Sequence, residues 1–549
     1  MRALRLLGAW AVVNVLLLTP GWVLEGEPSA PWLALEAAAL VGVFAVLPRR
    51  RWVRGLAWVA AGLTLAITLL LLADVAARMS LARPLNIYLD VKLLTAVFHL
   101  LSGTVGPWLT ALGTLVVSGA VAATVWLLAT LLAPLHGADP AAEAPLRVAP
   151  RIAGVAAIGL VTVGLSGQRF APANEHLTRP VVQLATEQTT HLFRMLDERE
   201  RFQDEMDASP ANYAQLPGLL SGLEGRNVLL AFIESYGISA LEDPRYAPVI
   251  LPRLEDMERR FEEAGLYVVS GTLEAPIQGG QSWLGHGSLM GGLWLENQLR
   301  YDLLLASGRE TLVDDFRRAG YRTFALMPAI TMAWPEGERF GYDRIYAHED
   351  IGYQGPPLNW VTMPDQFTWW FLEQEILASR GDAPLFVKLA LISSHAPWTP
   401  ILPVLDEWEE IGDGSIFAPW EDAGEPPSEL WRDTDRVRDH FALQVEYAVH
   451  AMIAYAERFL DSGTLLIALG DHQPAPLITG DDASLEVPVH VISREPSILE
   501  PFLQWGFQPG ALPPEEREIR GMNVFRDWFV RTYTPPSSNS STSSQGPSP

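Results

Sequence analysis

Two short apolar stretches decide the fold of this chain: Arg226–Ile233 (RNVLLAFI) and Thr464–Leu469 (TLLIAL). Each is a nearly continuous apolar run, which is typical of a strand buried on both faces of a sheet. Similar runs alternate with amphipathic segments of helical spacing: strands at Leu266–Ser270, Tyr321–Met327, Leu385–Ile392 and Val487–Ile492, and helices at Leu254–Ala264, Thr311–Ala319, Asp365–Ser379 and Val445–Leu460. The alternation predicts an α/β domain with an open, mainly parallel sheet and helices on both faces.

Polar side chains follow both stretches at the point where each strand ends. The first stretch runs into Glu234 and Ser235, and the second runs through Gly470 into Asp471 and His472. Because the carboxyl ends of parallel strands meet at one edge of a sheet, we expect these side chains to lie together. Glu, Asp and His form an oxygen and nitrogen set that suits Mn²⁺, Mg²⁺ or Zn²⁺. Polar residues that merely cap strands or lie on the surface are the alternative.

A glycine-rich segment, Gln278–Gly292 (QGGQSWLGHGSLMGG), lies between the two stretches. Ser282 is predicted to lie just before a short helix, where free N–H groups and the helix dipole favour a phosphate. A divalent ion bound to a serine hydroxyl lowers its pKa and makes it a nucleophile. The alternative is a serine that only caps the helix in a glycine-rich turn.

The first third of the chain is predicted to anchor it in a membrane. Five apolar runs approach the ~20 residues that a span needs: Leu6–Leu24, Pro31–Leu47, Val53–Ala73, Val105–Leu132 and Ile152–Leu165. Basic residues lie in three segments that five spans would put on one side: Arg2 with Arg5, Arg49–Arg54, and Arg147 with Arg151. The positive-inside rule makes that side the cytoplasm, so the remaining chain is predicted to lie outside. Pro84–Leu101 is interpreted as an amphipathic helix on the outer membrane face.

Composition excludes several classes of function. The chain has 64 acidic and 39 basic residues, a net charge of −25 and no cysteine. A strongly acidic chain is a poor ligand for nucleic acid. Without cysteine there is no disulfide, thiolate metal site or cysteine nucleophile. We predict a transmembrane anchor over 1–167, a helical connector over 168–224, a catalytic domain over 225–534 and a disordered tail over 535–549.

These motifs together resemble a known superfamily. Glu234 at a strand end, Ser282 in a glycine-rich loop and the late Gly470–His472 are similar to the alkaline phosphatase/sulfatase superfamily. The sulfatase signature has a modified residue at the Ser282 position, and proline and arginine where this chain has Leu284 and His286. A plain serine is instead the nucleophile expected in the phosphotransferase branch.

Within that branch, about five spans followed by an exported domain resemble lipoteichoic acid synthase and related phosphoglycerol transferases. The resemblance implies that Glu234, Ser282, Asp471 and His472 hold one divalent metal ion. It also implies that Ser282 is the nucleophile that attacks a lipid headgroup phosphate.

The resemblance also implies a set of substrate contacts. His395, in Ser393–Trp398 (SSHAPW), matches the family's substrate-contacting histidine and is the second catalytic candidate. Trp334 matches a tryptophan beside the headgroup pocket, and Arg339 is a shifted candidate for the family's arginine. His286 could contact phosphate, or it could have only a structural role in the turn.

The predicted function is transfer of a phosphoglycerol or phosphoethanolamine headgroup from a membrane phospholipid to a glycan or glycolipid hydroxyl, through a phospho-serine. The expected partners are these lipids and the bilayer, and the expected location is the bacterial cytoplasmic membrane, with the catalytic domain outside. Two alternatives stay open: a sulfatase-like hydrolase (a phosphodiesterase or sulfuric ester hydrolase), and a catalytically inactive, membrane-tethered binding protein.

Overall fold

The structure, a computed structural model, describes residues 2–26, 28, 31–48, 50–91, 93–133, 152, 154–155, 176–209, 213–379, 381–480 and 482–535. The chain divides into two compact units. The first comprises Met1–Met79 with Arg83–Leu196, and the second comprises Ser80–Ala82 with Asp197–Pro549.

The first unit contains three helices that are long and apolar enough to cross a membrane: Arg2–Glu25, Arg51–Leu81 and Pro107–Leu132. They have 24, 31 and 26 residues. At about 1.5 Å of rise per residue, each exceeds the ~30 Å of a bilayer's hydrocarbon core. Many of their leucine, valine and tryptophan side chains are exposed, as a lipid-facing surface requires. These features are those of a membrane protein.

The predicted count of five spans is not confirmed. The second apolar run forms the helix Leu35–Val46, whose 12 residues extend only about 18 Å. The run is shortened because Leu33–Ala34 is extended and pairs in parallel with Leu177–Thr178. The fifth run lies outside the described residues except for positions 152, 154 and 155, and so does the predicted disordered tail beyond position 535.

The segment predicted as one amphipathic helix forms two, Ile87–Asp90 and Leu93–Val105. The Asn86 side chain accepts a hydrogen bond from the backbone N–H of Tyr88 and so caps the first of them. A longer helix, Pro180–Ala208, follows later in the chain.

The second unit is built on an eight-stranded sheet. Its strands are β1 (Asn227–Ile233), β2 (Tyr267–Glu274), β3 (Arg322–Met327), β4 (Arg344–Ala347), β5 (Leu385–Leu391), β6 (Thr464–Gly470), β7 (Glu486–Ser493) and β8 (Gln508–Pro509). The spatial order is β8-β2-β7-β6-β1-β5-β3-β4. The five strands from β6 to β4 are parallel to one another, whereas the β6–β7, β7–β2 and β2–β8 pairs are antiparallel. The predicted mainly parallel sheet is therefore confirmed.

Helices cover both faces of this sheet. They span Ser239–Glu242, Ala247–Ala264, Ser282–Gly291, Gln298–Ser307, Leu312–Arg318, Pro335–Arg339, His348–Ile351, Asp365–Phe371, Pro427–Leu430, Thr434–Phe459, Pro476–Thr479, Glu500–Gln504 and Phe525–Thr532. Alternate residues of β1 enter two separate cores. Leu229 and Ile233 pack in the core that includes Thr434–Phe459, and Leu230 and Phe232 pack in the opposite core.

Two edge strands and several helix ends differ from the sequence-based expectation. The helices predicted to begin at Leu254 and Val445 begin earlier, at Ala247 and Thr434. β4 and β8 have only four and two residues and lie at the sheet edges, so neither produces a long apolar run. The helix predicted over Asp365–Ser379 is α-helical to Phe371 and continues as a π-helix over Leu372–Leu377.

Breaking one buried ion pair should strongly destabilise the second unit. The Arg526 Nε and Nη2 atoms lie 2.8 and 3.2 Å from the two carboxylate oxygens of Asp315. Asp315→Ala would leave the Arg526 charge buried without its partner, so we expect a loss of about 3–5 kcal/mol in the free energy of unfolding. Chemical denaturation followed by tryptophan fluorescence measures it.

The exposed pair Arg259–Glu263 provides the control. Glu263→Ala should change the free energy of unfolding by less than about 1 kcal/mol. The double variant Asp315→Leu/Arg526→Met should restore most of the stability, since replacing both partners leaves no buried charge. Equal effects of Asp315→Ala and Glu263→Ala would contradict the assignment.

Candidate metal centre and active site

The sheet brings the first two predicted ligands together. β1 and β6 are parallel neighbours with Ile233 opposite Gly470, so the residues after them, Glu234 and Asp471, leave the same edge. A Cβ atom on Gly470 would lie 1.9 Å from the carbonyl oxygen of Tyr236. Only glycine at position 470 therefore allows the backbone segments that follow β1 and β6 to approach each other this closely.

Glu234, Asp471 and His472 form a buried cluster. Each offers one ligand atom, and these atoms lie within 4.8 Å of one another. The Nε2 atom of His472 lies 3.3 Å from Glu234 Oε1 and 3.7 Å from Asp471 Oδ2. Two carboxylates and one imidazole thus converge in a buried site.

Hydrogen bonds from the backbone and from Ser235 fix the orientation of each group. The backbone N–H groups of Ser235 and His472 both donate to Asp471 Oδ1, at 2.8 Å each. The Ser235 hydroxyl donates to Glu234 Oε1 at 2.9 Å. The His472 Nδ1–H donates to the carbonyl oxygen of Gln473 at 2.8 Å, so Nε2 faces the carboxylates and, once deprotonated, can offer its lone pair to a metal ion. This is the tautomer that a metal ligand needs.

Ser282 completes the set of predicted ligands. Its Oγ atom lies 3.1 Å from Glu234 Oε2 and 3.2 Å from His472 Nε2. The sequence predicts Ser282 just before a helix; it is the first residue of the helix Ser282–Gly291. Its hydroxyl therefore lies where the helix presents its free N–H groups.

Backbone geometry places this helix against the sheet. Gly279, Gly280 and Gln281 are three successive residues with left-handed φ angles of +62°, +64° and +60°. Glycine adopts this conformation freely, whereas Gln281 does so at a cost of about 1–2 kcal/mol. A Cβ atom on Gly285 would lie 2.5 Å from the carbonyl oxygen of Asp471. The helix thus contacts the backbone that carries Asp471.

The pKa values in the cluster show how strongly its charges interact. Burial and then the charge of Glu234 raise the pKa of Asp471 to about 7. Burial lowers the pKa of His472, but Asp471 and Glu234 outweigh it and raise that pKa to about 9. Burial likewise favours a higher pKa for Glu234, yet the hydrogen bond and charge of His472 lower it. Without another cation, a single imidazolium must balance two buried carboxylates, so the donor set fits a divalent ion.

The loop after β5 carries His395 to the same edge. The hydroxyl of the preceding residue, Ser394, donates to the carbonyl oxygen of Glu234 at 2.5 Å. The His395 Nδ1–H donates to the carbonyl oxygen of Ala396 at 2.6 Å, which leaves the Nε2 lone pair available. Trp360 stacks on the imidazole, with ring centroids 3.7 Å apart and an interplanar angle of 19°.

Asp365, which sequence reasoning missed, anchors that loop. Its Oδ1 atom accepts hydrogen bonds from the backbone N–H groups of Ile392 and Ser393, at 2.7 and 3.0 Å. Its own backbone N–H donates to the Ser393 hydroxyl at 2.9 Å. An acidic residue at the start of a helix is common, so the sequence offers no signal for this role. Trp360 was missed in the same way, as one tryptophan among many.

The remaining predicted residues lie farther from the cluster. His286 is one helical turn beyond Ser282 and stacks on Phe232. Trp334 is half-buried and packs against Met327 and its neighbours in β3 and β5. Arg339 is exposed at the end of the helix Pro335–Arg339, and the structure gives it no contact with the cluster. The structure therefore brings the four predicted metal ligands close together, whereas Arg339 makes no contact with them.

Comparisons with known proteins identify the domain. Residues 295–506 match the model of the Sulfatase family. This part of the chain is therefore similar to the sulfatases. The matched range includes His395, Asp471 and His472 and begins after Ser282. The predicted alkaline phosphatase/sulfatase resemblance is confirmed, and enzymes of this superfamily use a divalent metal. No curated protein matches the chain.

Several solved structures are similar to part of this chain. The lipoteichoic acid synthase LtaP from Listeria monocytogenes is 12% identical with a TM-score of 0.35, over 53% of this chain and 71% of that chain. The phosphoglycerol transferase GacH from Streptococcus pyogenes is 11% identical with a TM-score of 0.34, over 54% and 74%. The alkaline phosphatase from the Antarctic bacterium TAB5 is 10% identical with a TM-score of 0.29, over 56% and 97%.

Asp471→Asn tests the metal centre. The amide keeps an oxygen that can accept both backbone hydrogen bonds but removes one negative charge. Substituting a residue that only hydrogen-bonds to a metal ligand costs about 10–100-fold in metal affinity. Because Asp471 is itself a predicted ligand, we expect a loss of at least about 100-fold in the affinity for Mn²⁺. Calorimetric titration of chelator-stripped protein measures it. Asp482→Asn, at an exposed position, is the control, and equal affinities for the two variants would refute the site.

Gly285→Ala tests whether the helix must touch the Asp471 backbone. Alanine favours a helix over glycine by about 1 kcal/mol, yet its methyl group would collide with the Asp471 carbonyl. We therefore expect weaker Mn²⁺ binding while the fold persists, as seen by circular dichroism. Gly291→Ala, in the same helix, meets only the flexible Leu304 side chain within 3 Å and should keep the affinity. The same loss in both variants would contradict this explanation.

Proposed function

We propose that this protein is a membrane-anchored, metal-dependent phosphotransferase. It would move a phosphoglycerol or phosphoethanolamine headgroup from a phospholipid to the hydroxyl of a glycan or glycolipid. The observation that carries the proposal is the position of the Ser282 hydroxyl, at hydrogen-bond distance from Glu234 and His472. A serine oxygen surrounded by buried metal-ligand groups, at a helix N-terminus, has the surroundings that a phosphoryl-accepting nucleophile needs.

Glu234, Ser282, Asp471 and His472 would hold one divalent ion, either Mn²⁺, Mg²⁺ or Zn²⁺. When bound, such an ion lowers the pKa of a hydroxyl and neutralises charge on phosphoryl oxygens. The two carboxylates supply the negative charge that attracts it, and the His472 tautomer presents a nitrogen lone pair.

In the first half-reaction, the Ser282 oxygen attacks the headgroup phosphorus. A bond forms between Ser282 Oγ and phosphorus, and the bond from phosphorus to the diacylglycerol oxygen breaks. His395, protonated on Nε2, gives a proton to that oxygen, so that neutral diacylglycerol leaves. The serine proton is released through Glu234, which accepts the hydrogen bond of the hydroxyl. The free N–H groups of the helix Ser282–Gly291 stabilise the negative charge of the phosphoryl oxygens.

In the second half-reaction, the acceptor hydroxyl attacks the same phosphorus. His395, now neutral, takes the acceptor's proton on Nε2. The bond between phosphorus and Ser282 Oγ breaks, and the serine oxygen regains through Glu234 the proton that it released in the first half-reaction. Trp360 stacks on one face of His395 and so holds its Nε2 towards the reacting oxygens. Trp334 would contact the headgroup beside the site, whereas Arg339 would need to move to do so.

A membrane anchor suits this reaction because the donor lipid never leaves the bilayer. The three long apolar helices support such an anchor. We place the catalytic domain on the outer side of a bacterial cytoplasmic membrane. This orientation rests on the five spans predicted from the sequence, which put the basic residues Arg2, Arg5 and Arg49–Arg54 together on the cytoplasmic side.

Ser282→Ala tests covalent catalysis. The full chain is incubated with phosphatidylglycerol or phosphatidylethanolamine vesicles, and intact mass spectrometry follows any headgroup adduct while diacylglycerol release is measured. We expect the adduct on the Ser282 peptide, and in Ser282→Ala a loss of release of about 1,000-fold or more, since a nucleophile is removed. Ser307→Ala, at an exposed helix end, should behave like the wild type.

Product analysis separates the alternatives. Headgroup transfer to an added glycolipid supports the transferase, whereas release of free headgroup phosphate with or without it indicates a hydrolase. Absence of both adduct and diacylglycerol from metal-loaded protein would indicate an inactive binding protein.

A further inference from the structure

Lysine is almost absent from this chain. Only two of its 39 basic residues are lysines, Lys92 and Lys388, and the other 37 are arginines. Lys388 lies in the middle of β5, between β1 and β3 in the centre of the sheet. Its side chain is only 3% exposed. One of the only two lysines in this sequence is therefore buried in the centre of the sheet.

The ammonium of Lys388 has few polar neighbours. Its Nζ atom lies 3.0 Å from His286 Nδ1 and 3.1 Å from Met327 Sδ, and 5.6 Å from the ring centre of Phe232. Within the part of the chain that the structure describes, no carboxylate lies within ion-pair distance of it. Burial lowers the pKa of Lys388 to about 7, and the charge of Asp471 acts in the opposite direction. A buried cation without a carboxylate partner is costly for the fold.

His286 connects this lysine to the candidate active site. Residues four apart lie on one face of a helix, so His286 lies beside Ser282, one turn along the helix Ser282–Gly291. Its ring stacks on Phe232 with centroids 4.0 Å apart, and Phe232 precedes Glu234 by two residues. The His286 ring therefore borders the same end of β1 from which Glu234 reaches the cluster.

The protonation of His286 follows from its partner. Burial and the nearby charge of Lys388 hold the pKa of His286 well below its usual value, so the ring is neutral. When Lys388 is charged, its ammonium can only donate hydrogen bonds, so His286 Nδ1 accepts and the single ring proton lies on Nε2. That Nε2 atom is buried and has no hydrogen-bond partner among the described residues. A buried donor without an acceptor in the protein can donate to a group from outside the chain, either a water or a ligand.

We propose that Lys388 is a positioning residue for the phosphoryl group: it holds His286 in the Nε2–H tautomer, and His286 donates to a phosphoryl oxygen at Ser282. Lys388 also supplies a positive charge behind that hydrogen bond. The inference rests on the proposed function and adds to it a second contact for the phosphoryl group, on the face of the helix shared with Ser282.

Opposite effects on stability and on binding would distinguish this role from a structural one. Lys388→Met replaces the buried ammonium with an apolar side chain of similar length, so the melting temperature should stay the same or rise. The affinity for inorganic phosphate, measured by calorimetry on Mn²⁺-loaded full-length protein, should fall by about 10–100-fold, the range for a charge-assisted hydrogen bond. A purely structural lysine would lower the melting temperature and leave the affinity of the folded protein unchanged.

Substitutions of His286 provide the rescue test. The amide of His286→Gln can accept from Lys388 through its oxygen and donate through its nitrogen, so this variant should keep most of the phosphate affinity. His286→Leu has neither group and should match the loss in Lys388→Met. Equal losses in the two His286 variants would overturn the proposed hydrogen bond.

Nuclear magnetic resonance gives a readout that does not depend on turnover. With ¹⁵N-lysine, the protein should show only two side-chain signals, and Lys92→Arg assigns them. Inorganic phosphate should shift the Lys388 signal in the wild type but not in His286→Leu. With ¹⁵N-histidine, the His286 ring should carry its proton on Nε2 in the wild type and change tautomer in Lys388→Met. The inference would be overturned if His286 carried its proton on Nδ1 in the wild type. It would also be overturned if phosphate binding left the Lys388 signal unshifted.

These outcomes separate the inference from the proposed function. If Ser282→Ala abolishes the headgroup adduct while Lys388→Met binds phosphate like the wild type, the transferase stands and the positioning role fails. If neither variant affects diacylglycerol release, covalent catalysis by Ser282 fails, whereas the phosphate and tautomer measurements still decide the role of Lys388.

Discussion

The structure depends on the burial of two carboxylates side by side. Glu234 and Asp471 leave neighbouring parallel strands at one edge of the sheet, and His472 lies within 4 Å of a carboxylate oxygen of each. Bringing like charges together in a buried site is unfavourable unless a cation or a shared proton compensates. The surrounding features serve that requirement: Ser235 and backbone N–H groups hold the carboxylate oxygens, and the closely packed helix brings the Ser282 hydroxyl to the same point.

Much of the sheet and the convergence of its polar residues could be predicted from the sequence. Strands buried on both faces, such as β1 and β6, leave long apolar runs that locate them almost to the residue. Once both strands are taken as parallel neighbours, their common direction requires Glu234 and Asp471 to lie at one edge. The position of Ser282 could be predicted because glycines allow the left-handed turn that begins its helix.

The features that could not be predicted depend on contacts between distant residues. The run Pro31–Leu47 has the composition of a span, but its first residues pair with Leu177–Thr178, which no local pattern reveals. Asp365 anchors the loop of His395 from a position that is ordinary for a helix start. Lys388 did leave a signal, since it is the one charged residue in the apolar strand LFVKLAL. Its contact with His286 could not be predicted, because that contact depends on how the helix Ser282–Gly291 packs beside β5.

The strand order also determines when the candidate site can exist during synthesis. β6 lies between β1 and β7 although it is made long after β1, and the hydrogen bond from Ser235 to Asp471 joins residues 236 positions apart. A nascent chain that has released Glu234 and Ser282, but not yet His472, has no complete set of ligands. The metal cluster therefore cannot form until most of the polypeptide has emerged, and a prematurely terminated product lacking β6 would lack two of its ligand candidates, Asp471 and His472.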